Sequence, residues 1–107
     1  MTKPPKVLYV GPTDYLIKLK TRLDLLGETD SNESMIYLRR KQSDSTMRGT
    51  LVHELMHAII FESGIAKVMS WNNETEEEFV SVVSPWVQAV IQDNPALLDY
   101  LHGEEAA

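Results

Sequence analysis

At 107 residues the chain has material for one domain with one modest hydrophobic core. Its apolar fraction of 43% and charged fraction of 24% match a globular protein and exclude a disordered or fibrous one. The net charge of −6 argues against general binding along a phosphate backbone, and the absence of cysteine excludes disulfides and thiolate metal ligands.

Residues 1–5 are Pro-rich and expected to be flexible. Val7, Leu8, Tyr9 and Val10 form a short β-type run that Gly11-Pro12 stops. Residues 15–20 alternate in part and suit a second strand, with a short helix as the competing assignment. Residues 25–32, Leu-Leu-Gly-Glu-Thr-Asp-Ser-Asn, have the composition of a polar turn. Residues 35–39 follow as an alternating strand. Basic residues gather at Lys18, Lys20 and Arg22, and again at Arg39, Arg40, Lys41 and Arg48. They allow a local basic face, though solvated edges explain them equally well, and nucleic acid is not the expected partner.

Ser43, Asp44 and Ser45 are good N-caps for a long helix over about 45–63, and Gly64 is a natural stop for it. Residues 66–73 read as a loop with Trp71 as a packing anchor. A second helix is expected over about 75–92, with Phe79, Val82, Val83, Trp86, Val87 and Val90 at helical spacing and Pro85 interrupting it. Asp93-Asn94-Pro95 ends that helix, residues 96–101 suit a last short one, and residues 103–107 read as a frayed tail. The expected fold is α+β, a small antiparallel sheet packed against two or three helices. No apolar run approaches the roughly 20 residues that span a bilayer, and the N-terminus lacks the apolar stretch of a signal peptide, so the cytoplasm is the expected compartment.

The first long helix carries the chemistry. His53, Glu54 and His57 spell H-E-x-x-H, which sets two imidazoles one turn apart on one face, where both can close on a single metal ion. Glu54 lies beside them, placed to take a proton from a water that the metal activates. Leu51, Val52, Leu55, Met56, Ala58, Ile59 and Ile60 leave little else polar, so the helix is expected to be buried nearly all round. Buried imidazoles and a carboxylate need partners, and zinc supplies them. Core histidines bonded to backbone carbonyls are the plainer alternative.

A catalytic zinc takes three protein ligands, so one is still wanting. Glu74, Glu76, Glu77 and Glu78 open the next helix, and His102 is a more distant option. Thr75 and Glu78 also fit a capping box, and acids in a first turn complement the helix dipole without any metal. Glu78 shares an i, i+4, i+8 stripe with Val82 and Trp86, which sets it at the edge of the expected buried face. Glu76 competes through Phe79, Val80 and Val83. For an oxyanion donor the candidates are Tyr9, Tyr15, Tyr37, Tyr100 and His102, with nothing in the sequence to choose among them.

Along most of its length the chain resembles the small phage and bacterial minimal zincins related to the ImmA/IrrE-type metallopeptidases. The resemblance runs through residues 26–30 (Leu-Gly-Glu-Thr-Asp), Ile36-x-Leu38, residues 50–59 around the motif, Glu77-Glu78-Phe79-Val80, and residues 92–95. It implies a gluzincin-like site in which His53 and His57 are ligands, Glu54 is the general base and Glu78 is the third ligand. It also implies zinc as the cofactor, a protein or peptide substrate such as a repressor-like or host protein, and a bacterial host cell as the setting. No sensor or DNA-binding domain accompanies the module, and no zinc ribbon of the SprT kind follows. Two other readings stand beside the peptidase: a zinc held only for stability, and a non-catalytic interaction module of phage origin. The oligomeric state is left open.

Overall fold

The computed structural model describes residues 3–104. Its elements follow the order β1 (Val7–Val10), β2 (Thr13–Lys20), β3 (Gly27–Asp30), β4 (Met35–Arg39), α1 (Asp44–Ser63), α2 (Ile65–Val68), α3 (Asn73–Asp93) and α4 (Pro95–Leu101). The fold is α+β. β1 and β2 form a hairpin in which Val10 pairs with Thr13 across Gly11-Pro12. Gly11 takes φ +60°, a conformation that suits the first central position of a type II′ turn and that only glycine adopts freely.

The sheet order is β1-β2-β4-β3, and it is mixed. β4 pairs with β3 antiparallel but with β2 parallel, Lys20 lying opposite Arg39. This corrects the expected antiparallel sheet, and it also makes a strand of residues 27–30, which read as a turn. The two departures have one cause. Parallel neighbours need a long crossover; here the segment between Lys20 and Met35 travels past the position of β4, runs back as β3 on the far edge, and returns between them.

Alternation along the strands sends Tyr15, Ile17 and Leu19 of β2 and Ile36 and Leu38 of β4 to one face, where α1 lies. Tyr15, Ile36, Leu38 and Ala58 are fully buried there. Met47, Leu51 and Leu55 pack against them from α1, spaced to recur on one helical face. The helix starts at an N-cap, Ser43, whose hydroxyl accepts from the Thr46 amide, and it ends at Gly64 with φ +73°. It is not buried all round as expected: Ile59 and Phe61 stay 42% and 55% exposed, because the sheet and α3 cover only two of its sides.

α3 begins earlier than expected. Asn72 is its N-cap, accepting from the Thr75 amide at 2.7 Å, which displaces Thr75 from that role and leaves no capping box with Glu78. The helix runs unbroken through Pro85; Ser81 and Pro85 are both exposed, so solvent reaches the carbonyl that the proline cannot satisfy. Trp71 packs on Phe79 with ring centroids 4.9 Å apart. Residues 1–2 and 105–107, at the ends expected to be flexible, lie outside the described residues. Gly103 and Glu104 close α4 by donating to the carbonyls of Tyr100 and Asp99. No described helix is long and apolar enough to cross a membrane.

The hydroxyl of buried Tyr15 donates to Glu62 Oε2 of α1 at 2.9 Å, and Thr13 holds the other carboxylate oxygen, tying β2 to the end of the helix. Burial pushes the Tyr15 pKa above its ordinary value of 10.0; Ser31 pulls it down, and Glu62 adds to the rise through its hydrogen bond and charge. A raised folded-state pKa means that the stabilisation is complete below the unfolded value and is lost as pH rises through the folded one. Tyr15→Phe is therefore expected to cost about 1–3 kcal/mol at neutral pH, since it removes a hydrogen bond to a carboxylate. The gap between the two proteins should close above about pH 10. Urea unfolding at both pH values measures it; a pH-independent gap would contradict the assignment.

Candidate metal centre

α1 turns His53, Glu54 and His57 away from the sheet core toward α3 and β3. The two imidazoles stack edge to face, 5.1 Å between ring centroids. Each directs Nε2 at the carboxylate of Glu77: His53 Nε2 lies 2.8 Å from Oε1 and His57 Nε2 lies 2.8 Å from Oε2. His53, His57 and Glu77 each present one donor atom, and these three atoms lie within 4.8 Å of one another. Two imidazole nitrogens and one carboxylate oxygen from facing helices are a donor set that suits zinc. The fit is good because both nitrogens aim at one small volume rather than past each other.

The carboxylate that converges with the two histidines is that of Glu77, whereas Glu78 was the expected third ligand. Glu78 is exposed and takes no part in the cluster, and the residues that continue its stripe, Val82 and Trp86, are 67% and 73% exposed. The buried side of α3 runs instead through Val80 and Ser84. α3 packs along α1, with small Ser84 buried and Gln88 beside Gly49. The i, i+4, i+8 stripe from Glu78 thus lies on the exposed face of α3. Glu76 sits one residue before Glu77 and completes the cluster from the other side, its Oε2 2.6 Å from His57 Nδ1. Glu74 is exposed.

Glu54 is buried to 7% relative exposure and is not one of the converging donors. Thr29 on β3 donates its hydroxyl to Glu54 Oε1 at 2.8 Å and lies 2.9 Å from the Glu54 carbonyl. Burial raises the Glu54 pKa; the Thr29 hydrogen bond and the neighbouring His53 and His57 pull it down, and Glu77 pushes it up. A carboxylate with restricted hydration and one oxygen fixed by a hydroxyl has the environment of a proton acceptor. Thr29 and Gly27 were not legible as site residues in a segment that read as a turn. Their one trace was the run from Leu26 to Asp30, which carries part of the family resemblance.

The cluster lies in an open groove of about 1470 Å³ between β3 and α3, with α1 as its floor. Leu25, Leu26, Gly27 and Thr29 form one wall, Glu76, Glu77, Ser81 and Pro85 the other, and Ile60 and Phe61 lie beyond His57. None of the expected oxyanion donors lines it. Tyr15 is committed to Glu62, Tyr37 lies on the opposite face of the sheet beneath Lys20, and Tyr9, Tyr100 and His102 are exposed elsewhere. No protein-family model, curated protein or solved structure matches the chain.

Two outcomes check this geometry. A Cβ at Gly27 would lie 2.6 Å from Thr50 Cγ2 and 2.9 Å from Glu54 Cγ, both on buried residues, so Gly27→Ala should destabilise by about 1–3 kcal/mol in urea unfolding. Zinc affinity, measured by chelator competition, should fall steeply for Glu77→Gln and hardly at all for Glu78→Gln. Equal losses at the two positions would contradict the rotation of α3.

Proposed function

We propose that this chain is a zinc-dependent peptidase of the minimal zincin kind, hydrolysing a peptide bond of a protein substrate laid along the groove. The observation that carries the reading is the convergence of His53 Nε2, His57 Nε2 and the Glu77 carboxylate, with a buried, non-converging Glu54 beside them. A metal held only for stability has no use for that fourth group. When bound, zinc supplies Lewis acidity that activates a water and polarises a carbonyl.

Glu54 takes the proton from the attacking water and passes it to the departing amine. Thr29 holds one oxygen of that carboxylate and leaves the other to the water. Glu76 is a positioning residue: by accepting from His57 Nδ1–H it fixes the tautomer that leaves the Nε2 lone pair facing Glu77. β3 is an edge strand, so its outer backbone groups are available to pair with an extended peptide. The groove exceeds the roughly 300–1,000 Å³ typical of small-ligand pockets and suits a chain segment better.

Glu54→Gln tests the chemistry. It keeps size and hydrogen bonding but cannot accept the proton, so it should keep zinc and fold while losing hydrolysis in a cleavage assay on host lysate. Cleavage at the wild-type rate would contradict the role of Glu54. Glu76→Gln should weaken zinc binding by about 10–100-fold without emptying the site.

A further inference from the structure

The parallel pairing of β2 and β4 brings together two groups of cations that are far apart in sequence. Lys18, Lys20 and Arg22 close the end of β2, and Arg39, Arg40 and Lys41 close the end of β4. With the strands side by side in the same direction both groups fall at one corner of the sheet. Lys20 is in register with Arg39, and the Arg40 amide donates to the Lys20 carbonyl at 2.9 Å. An antiparallel pair would have sent them to opposite ends. All six are exposed except half-buried Arg39, and among the described residues none has a carboxylate within 4.0 Å.

This corner holds six of the ten basic residues, leaving four against sixteen acids over the whole chain. The molecule is therefore strongly polarised, and the size of the patch decides what it fits. Screening at physiological salt limits its reach to about 8 Å, enough for a short run of anionic groups. A nucleic-acid strand leaving the patch would run onto a surface dominated by acids, whereas a short acidic stretch of polypeptide would not. The corner is also joined to the groove. The Arg39 amide and the Gln42 side chain both donate to the carbonyl of Leu26, at 2.8 and 3.1 Å, and Leu25 and Leu26 line the groove.

We propose that this basic corner binds a short acidic segment of the polypeptide whose neighbouring residues occupy the groove, so that the substrate is recognised by acids flanking the cleaved stretch. The peptidase reading supplies only the identity of the occupant as substrate; the affinity for acidic peptide rests on the corner itself. The test is fluorescence anisotropy with a labelled hexaglutamate peptide and the full-length chain. Binding is expected, weakening as salt is raised from about 50 to 300 mM, and falling at least tenfold in the variant combining Lys20→Glu, Arg39→Glu and Arg40→Glu. Retained zinc affinity and circular dichroism show that the triple variant is folded; a second triple variant with Gln at the same positions serves if it is not. Equal binding by wild type and either folded triple variant overturns the proposal, as does tighter binding of an oligothymidine that displaces the peptide. Failure of the peptidase reading is seen separately, as unchanged cleavage by Glu54→Gln, and leaves this binding result standing.

Discussion

α1 has to serve two surfaces at once, and the close approach of β3 to it is what reconciles them. One side of the helix, through Leu51, Leu55 and Ala58, fills the core against β2 and β4. The adjoining side carries His53, Glu54 and His57. Glu54 would be a costly buried carboxylate if nothing satisfied it. Thr29 satisfies it from β3, and β3 comes near enough only because residue 27 has no side chain. The core thus fixes α1, the glycine admits the edge strand, and the edge strand holds the carboxylate.

The second constraint is electrostatic. Glu76 and Glu77 face the same imidazole from opposite ring nitrogens, and the charge of Glu77 adds to the rise that burial gives the Glu54 pKa. On the proposed reading, a divalent cation held by His53, His57 and Glu77 would balance the acids, and Glu76 would orient the His57 ring. The donor set is economical for a chain of this size, since two helices supply every member.

The motif helix, its capping serine and its glycine stop were legible because each rests on local chemistry: a hydroxyl before the first turn, a left-handed residue after the last, and an apolar run around the i, i+4 histidines between. β1 was legible as a short β-type run and β4 as an alternating strand. β3 was not, since Gly-Glu-Thr-Asp has no strand character of its own and is held by β4 and α1. Parallel pairing was hidden for the same reason, as it depends on where β3 goes. Glu78 was favoured for its stripe with Val82 and Trp86, but those two face outward, while Val80 and Ser84 are the buried residues of α3.

The central claim is that His53, His57 and Glu77 hold one zinc ion. Calorimetric titration of zinc into metal-free protein, followed by thermal melting, tests it most directly. A ligand bound only by the folded state adds about 2.7 kcal/mol at a free concentration 100-fold above Kd. For a domain of this size that corresponds to a rise in Tm of roughly 10 °C or more. One zinc per chain with a rise of that order is the expected result. No uptake, or uptake with an unchanged Tm, would contradict it.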